Sequence, residues 1–267
     1  MALVKTQKGD HVVSMMGLGA SKDHHAVHNK VWTLNLSQQS WVAKKPVPSS
    51  LSLTGRLASV AVSLGEKVYV FGGYTVAADH TEVSSPDNFA FDVINNSYNQ
   101  IAPMPVAVDD AVAVAYQDRF IYIISGWHND GNINLVQIYD SKDDTWQQGS
   151  PFVGKPVFGH AGGLVDNTMV ICDGVQVLPF ANKRRSFDME TACYIGRIDP
   201  KNIAKIDWRR LAHPTGKGRY RMAASAINED SIWFVGGSDN AYNINGIGYN
   251  KGPSEPVGEI WKYHVQT

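Results

Sequence analysis

The chain has 267 residues, a formal net charge of −1, 18% charged side chains and 10% aromatic ones. That length can bury a sizeable core in one domain, and the near-neutral balance, with no long basic run, excludes nucleic acid or an anionic membrane surface as the main partner. No apolar stretch approaches the roughly 18 residues a membrane-spanning helix needs, the opening MALVKTQKGD holds no apolar core of leader length, and two cysteines cannot build a disulfide framework.

In chain order, the first element is an apolar run, GDHVVSMMG, ending at Gly17. Runs of the same kind end at Gly73 (VFGG), Gly126 (IISG), Gly174 (ICDG) and Gly237 (FVGG), at spacings of 56, 53, 48 and 63 residues. A second landmark keeps phase with them. A strand closing in Asn or Asp is followed by an aromatic at Asn35/Trp41, Asp92/Tyr98, Asp140/Trp146 and, more widely spaced, Asp199/Trp208. Prolines then close the unit at Pro46 and Pro48, Pro103 and Pro105, Pro151 and Pro214. Alternating Val, Tyr and Ile between turn residues predicts strands rather than helices. In the second repeat these strands are expected at 57–64, 67–71, 88–93 and 98–102. The first strand of each repeat is rich in small residues (LASVAVSL, DAVAVAY, FGHAGGL, RMAASAI), which lets neighbouring strands approach closely. The segment 259–265 matches a third strand of the fifth repeat, with no fourth after it.

A glycine pair, an aromatic and a proline exit at a period near 50 resemble the kelch repeat, and the likeness covers the whole chain. It implies an all-β, kelch-type β-propeller with five four-stranded blades in one domain, 1–267, the blades running at about 1–50, 51–105, 106–153, 154–214 and 215–267. The alternative is six blades with an N-terminal part missing. Closed propellers complete one blade with strands from both termini, so the last blade's fourth strand is expected from an upstream segment. Cys172 and Cys193 fall on neighbouring strands of the fourth repeat; a bridge is open to them, but two buried thiols are the expected state.

Propeller geometry places the entries to strand one and the loops between strands two and three on one face, around a central mouth. The entries carry Arg56, Asp109, Asp110, His160, Arg219 and Arg221; the loops carry Trp127, His128, Arg184 and the long segment 238–256 with Asn240, Tyr242, Tyr249, Asn250 and Glu255. Arginine forks bind carboxylates, aromatic faces pack on sugar rings, and Asn both donates and accepts toward hydroxyls. The expected ligand is a small polar molecule, a carbohydrate or sugar acid. Arg56 at a strand entry also reads as a structural residue, and His160 equally as inter-blade packing. Trp127 follows a strand end with little core to fill, which points it at a ligand or partner.

Within the kelch group the chain is distantly similar to the bacterial N-acetylneuraminate epimerase (sialic acid mutarotase) propellers, with GLG at Gly17–Gly19 replacing a glycine pair. That likeness implies a periplasmic or secreted sugar-handling protein, with Arg221 or Arg184 on the carboxylate and Glu255 or His160 in proton transfer. The kelch fold also carries the central domain of galactose oxidase, but no Tyr–Cys crosslink or copper set is carried over, and no metal or cofactor is expected. His24, His25 and His28 lack a completing carboxylate pair or cysteine, and no nucleophile elbow is present. The rival reading is a non-enzymatic propeller that binds a protein or peptide through the same rim.

Overall fold

The computed structural model describes residues 1–178, 186–242, 247, 248 and 250–265. It is all-β apart from one 3₁₀ turn at His24–Ala26. The first sheet runs β1 (Ala2–Thr6), β2 (Gly9–Leu18), β3 (Val27–Asn35) and β4 (Ser40–Lys44) in sequence order. The second comprises β5 (Val60–Leu64), β6 (Lys67–Phe71), β9 (Asn88–Asp92) and β10 (Ser97–Ile101), and a hairpin of β7 (Tyr74–Val76) and β8 (Glu82–Ser84) leaves it between strands two and three. The third holds β11 (Val112–Tyr116), β12 (Phe120–Ile124), β15 (Val136–Asp140) and β16 (Thr145–Gln148), with the hairpin β13 (Trp127–His128) and β14 (Gly131–Asn132). The fourth repeats the plan with β17 (Ala161–Val165), β18 (Thr168–Cys172), β21 (Cys193–Asp199) and β22 (Asn202–Leu211), and the hairpin β19 (Val175–Leu178) and β20 (Ser186–Met189). The fifth has three described strands, β23 (Ala223–Ile227), β24 (Ser231–Val235) and β25 (Ile260–His264). These are five antiparallel blades of β-propeller type.

Chain contacts divide into two units, Met1–Asp110 with Gln117–Ile121 and Tyr139–Trp146, and the remainder; the third sheet contributes to both. The first unit has a core of Val4, Val13, Val31, Val68, Val70, Phe89 and Phe91. The second has one around Ala161, Val165, Val170, Cys172, Cys193, Ile232 and Phe234.

The glycine landmarks mark one backbone device used five times. Two successive residues with positive φ follow strand two in four repeats, Gly72/Gly73 (56° and 85°), Ser125/Gly126 (54° and 106°), Asp173/Gly174 (64° and 95°) and Gly236/Gly237 (67° and 85°), and in the first they form a bulge near the end of β2, Met16/Gly17 (57° and 137°). The first angle is ordinary left-handed α and admits Met, Ser or Asp at a cost; the second lies where side chains are strongly disfavoured, so glycine recurs there. Turned this way, the glycine N–H points at the next repeat. Gly73 donates to the Val108 carbonyl (3.1 Å), Gly126 to Val157 (2.9 Å) and Gly174 to Arg219 (3.1 Å).

The aromatic landmark is a second tie between consecutive repeats. The Tyr98 hydroxyl donates to the Lys45 carbonyl (3.0 Å), the Trp146 indole to Ala102 (2.9 Å) and the Trp208 indole to Ser150 (3.4 Å). Each strand-four aromatic thus holds the exit of the repeat before it, and Trp41 of the first repeat stands 51% exposed.

Three expectations are corrected. Strand one of the second repeat begins at Val60 rather than 57, because Ala58 adopts φ 53° and Leu57 bridges instead to Tyr74. The segments between strands two and three, taken as loops, form hairpins in repeats two, three and four. Cys172 and Cys193 form a disulfide rather than two thiols, since the β18–β21 register sets them opposite each other. It closes a 21-residue separation, so replacing both cysteines by alanine is expected to cost about 3 kcal/mol in denaturant unfolding. An unchanged midpoint would show that the bridge contributes nothing.

His11 on β2 is 8% exposed, and neither ring nitrogen has a hydrogen-bond partner among the described residues. Burial, helped by the Lys44 charge and opposed by Asp10, holds its pKa below the ordinary histidine value of 6.5. The unfolded chain therefore protonates first as pH falls, and stability present above pH 6.5 is lost below it. Melting temperature should fall between about pH 7.5 and about pH 5, and His11→Leu should fall less. Equal falls in both proteins would remove His11 as the source.

Candidate functional site

Arg56 is fully buried. Its Nη1 donates to the Gly72 carbonyl (2.8 Å), the Asp87 carbonyl (2.9 Å) and Ser85 Oγ (3.3 Å), all within its own repeat. Burial lowers its pKa to about 10, against the pull of Asp87. Arg219 occupies the same place in the fifth repeat: Nη1 donates to the Gly236 and Glu259 carbonyls (3.4 Å each) and Nη2 to the Glu259 carboxylate. Both arginines clamp the end of strand two to the start of strand three.

Asp109 is buried and accepts from Ser84 Oγ at 3.0 Å, which docks the β7–β8 hairpin. Asp110 takes φ 48°, and its N–H donates to the Ala58 carbonyl. His160 is 5% exposed, with Nε2 at 2.9 Å from the Ile124 carbonyl. These three serve the joints between repeats.

Trp127 is corrected from a ligand-facing residue to a core one. It is 8% exposed, its ring meets Phe158 at 5.6 Å and Phe187 at 6.1 Å, and its indole donates to the Asn129 carbonyl. The hairpins beyond strand two give it a satellite core to fill, with Phe158, Val175, Tyr220 and Ala241. His128 Nε2 lies 3.2 Å from Asn129 Nδ2.

The segment after strand two of the fifth repeat is tied along its described length. Ser238 bridges both Tyr220 and Pro256. Asn240 Nδ2 donates to Asn250 Oδ1 (2.9 Å) and to the Pro253 carbonyl (3.2 Å), and the Glu255 N–H donates to Asp239 Oδ1 (2.8 Å). The asparagines therefore hold the loop's own backbone. Arg184 and Tyr249 lie outside the described residues.

A cavity of ≈ 250 Å³ opens against this segment, lined by Tyr220, Arg221, Ser238, Tyr242, Ser254 and Pro256. Arg221 is exposed, with its guanidinium 4.7 Å from the Tyr220 ring centroid, and the Tyr242 ring meets Tyr220 edge-on at 5.6 Å. The structure thus brings Arg221 and Tyr242 together; neither His160 nor Glu255 lines this cavity. Among the described residues, no three His, Cys, Asp or Glu side chains gather as metal ligands.

The sequence reading passed over Asp173 and His213. Asp173 Oδ1 accepts from His213 Nε2 at 2.7 Å, and Oδ2 accepts from the Arg219 N–H at 3.1 Å. His213 Nδ1 accepts from the Gly216 N–H at 2.8 Å, which sets the proton on Nε2. Burial lifts the Asp173 carboxyl to about 7 and holds His213 below its ordinary value. Forty residues separate the two in sequence, and they meet because both follow strands of the fourth blade, Asp173 after β18 and His213 after β22.

A family model described as the KLHDC2/KLHL20/DRC7 Kelch-repeats domain matches residues 6–197. Kelch-like protein 23 of Homo sapiens is 26% identical over 224 residues, covering 82% of this chain and 34% of that protein. Kelch repeat and BTB domain-containing protein 12 of Homo sapiens is 23% identical over 170 residues, covering 57% of this chain and 26% of that protein. The chain spans about a quarter to a third of the length of these curated relatives. Among solved structures, that of YjhT superposes with a TM-score of 0.72 at 14% identity, covering 98% of this chain and 80% of the other.

Proposed function

The chain belongs to the kelch-repeat family, and from that premise we propose that it is a recognition module for a protein or peptide, with the Arg221 cavity receiving an acidic side chain. The observation that carries this reading is the cavity itself. At ≈ 250 Å³ it is smaller than the roughly 300–1,000 Å³ of pockets that enclose a drug-sized ligand. It offers one exposed guanidinium beside two tyrosines, a suitable seat for a carboxylate on an extended partner. The stapled segment and the hairpins β13–β14 and β19–β20, which share a small core around Trp127, Phe158 and Tyr220, provide a preformed surface, which lowers the ordering cost of binding. Glu255 and His160 do not line the cavity with Arg221, which favours recognition over proton transfer to a sugar ring.

The test is fluorescence polarisation with two pools of labelled peptides, identical except that Glu and Asp in one become Gln and Asn in the other. Acidic peptides should bind, more weakly at higher salt, and Arg221→Ala should weaken them at least about tenfold with the melting point unchanged. Equal binding of both pools, or no effect of Arg221→Ala, would sink the reading. Binding of free sugar acids with faster anomeric exchange would replace it with the mutarotase reading.

A further inference from the structure

The cavity that holds Arg221 is also lined by Ser238 and Ser254. Ser238 Oγ donates to the Asn240 carbonyl at 3.0 Å, and Ser254 Oγ donates to the same carbonyl at 2.7 Å. We propose that these two serines make the cavity selective for an acid that stands beside a hydrogen-bond donor: an acidic residue of a partner peptide together with a flanking backbone N–H. The proposal rests on the reading of Arg221 as the seat of the acid and deepens it by naming what must accompany that acid.

The argument is one of donors and acceptors. A hydroxyl has one proton and two lone pairs, and a carbonyl oxygen has two lone pairs and no proton. The direction of both bonds is therefore fixed: each serine gives its only proton to Asn240, and together they fill that oxygen's capacity. What each hydroxyl keeps for a ligand is lone pairs alone. Turning either hydroxyl round to donate into the cavity would take a partner from the Asn240 carbonyl, at a cost.

The frame around the serines keeps them in place. Ser238 exchanges backbone hydrogen bonds with Tyr220 at 2.9 Å in both directions, and the Asp239 N–H donates to the Glu255 carbonyl at 3.1 Å. Asn240 is anchored in turn through its amide to Asn250 and Pro253. Ser238 and Ser254 thus flank the tied Asp239–Glu255 pair, one on each arm of the segment. A ligand that fills the cavity excludes water from it, so an acid without an adjoining donor leaves two acceptors unpaired. Sites built to hydrogen-bond a polar group reject the analogue lacking it far more strongly than apolar pockets reject a missing methylene. Arg221 supplies the donors for the acid, and the serines supply acceptors for its neighbour.

The test is fluorescence polarisation with an acidic peptide and a set of its copies, each N-methylated at one backbone amide. Methylating one of the two amides that flank the acid should weaken binding at least about tenfold, and methylating amides farther away should change it little. In the variant carrying Ser238→Ala and Ser254→Ala the unmethylated peptide should weaken by a similar factor, and the flank-methylated copy should weaken no further. A merely structural role for the serines would weaken both peptides alike and overturn the proposal. Equal binding of the parent and flank-methylated peptides to the unaltered chain, with Arg221→Ala still weakening both, overturns it and leaves the Arg221 reading standing. Binding that ignores Arg221→Ala, or no binding of any acidic peptide, overturns both. The methylation series on the unaltered chain decides the matter even where the double variant fails to fold.

Discussion

Gly73→Ala is expected to lower the unfolding free energy by about 4 kcal/mol, a large share of a typical domain's stability. Two costs add. At φ 85° an alanine is strained by about 1–2 kcal/mol. Its Cβ would also lie 2.6 Å from the Leu57 carbonyl oxygen and 2.9 Å from the Ser59 nitrogen, and would overlap Ser59 Oγ. Backbone atoms cannot swing aside, so overpacking adds about 1–3 kcal/mol. Moving Gly73 also loosens the bond from its N–H to Val108, which ties the second repeat to the third. Gly65→Ala is the control: φ is 56° and no atom lies within 4 Å of the added carbon, so only about 1 kcal/mol should be lost. Chemical denaturation of the two variants checks the pair. Equal losses would mean that φ alone governs and that the close approach is relieved cheaply.

Arg56→Ala is expected to cost about 4 kcal/mol, because it leaves a cavity and strips the Gly72 and Asp87 carbonyls of a charged donor in a fully buried place. Arg56→Met should recover part of that loss by filling the space of the aliphatic stem. The same variants separate the two roles open to Arg56. A clamp loses stability and leaves ligand affinity intact at temperatures where the chain stays folded. A ligand residue loses affinity with its melting point preserved, the pattern expected instead of Arg221.

The blade plan was legible because its demands are local. A φ beyond left-handed α at the end of each second strand needs glycine, so Gly17, Gly73, Gly126, Gly174 and Gly237 appear as a printed period. Strand-four aromatics at Trp41, Tyr98, Trp146 and Trp208 keep step because three of them perform one task, holding a carbonyl of the preceding repeat. Strand two of the second repeat was legible to the residue, since Lys67–Phe71 is an apolar run bounded by turns. Strand one was not, because Ala58 looks like any small strand residue until its φ is seen.

The site was less legible, for a different reason. Reactive residue types on the entries and loops stand out in the sequence as a set, but their duties depend on what faces them. Arg56, Asp109 and His160 turned inward to carbonyls and hydroxyls of the blades, and Trp127 was absorbed by Phe158 and Phe187. Asn240 and Asn250, expected to offer amides to a ligand, bond each other.

By itself the sequence determined the all-β class, the repeat number and the phase of the blades, because each rests on a conformational requirement of one or a few neighbouring residues. Tertiary structure alone decided that Cys172 meets Cys193, that Asp173 holds His213 and that Arg221 shares a cavity with Tyr242. Those outcomes depend on strand register and on packing within a blade between residues far apart in the chain, where the energy of a contact belongs to the pair and is written in neither residue.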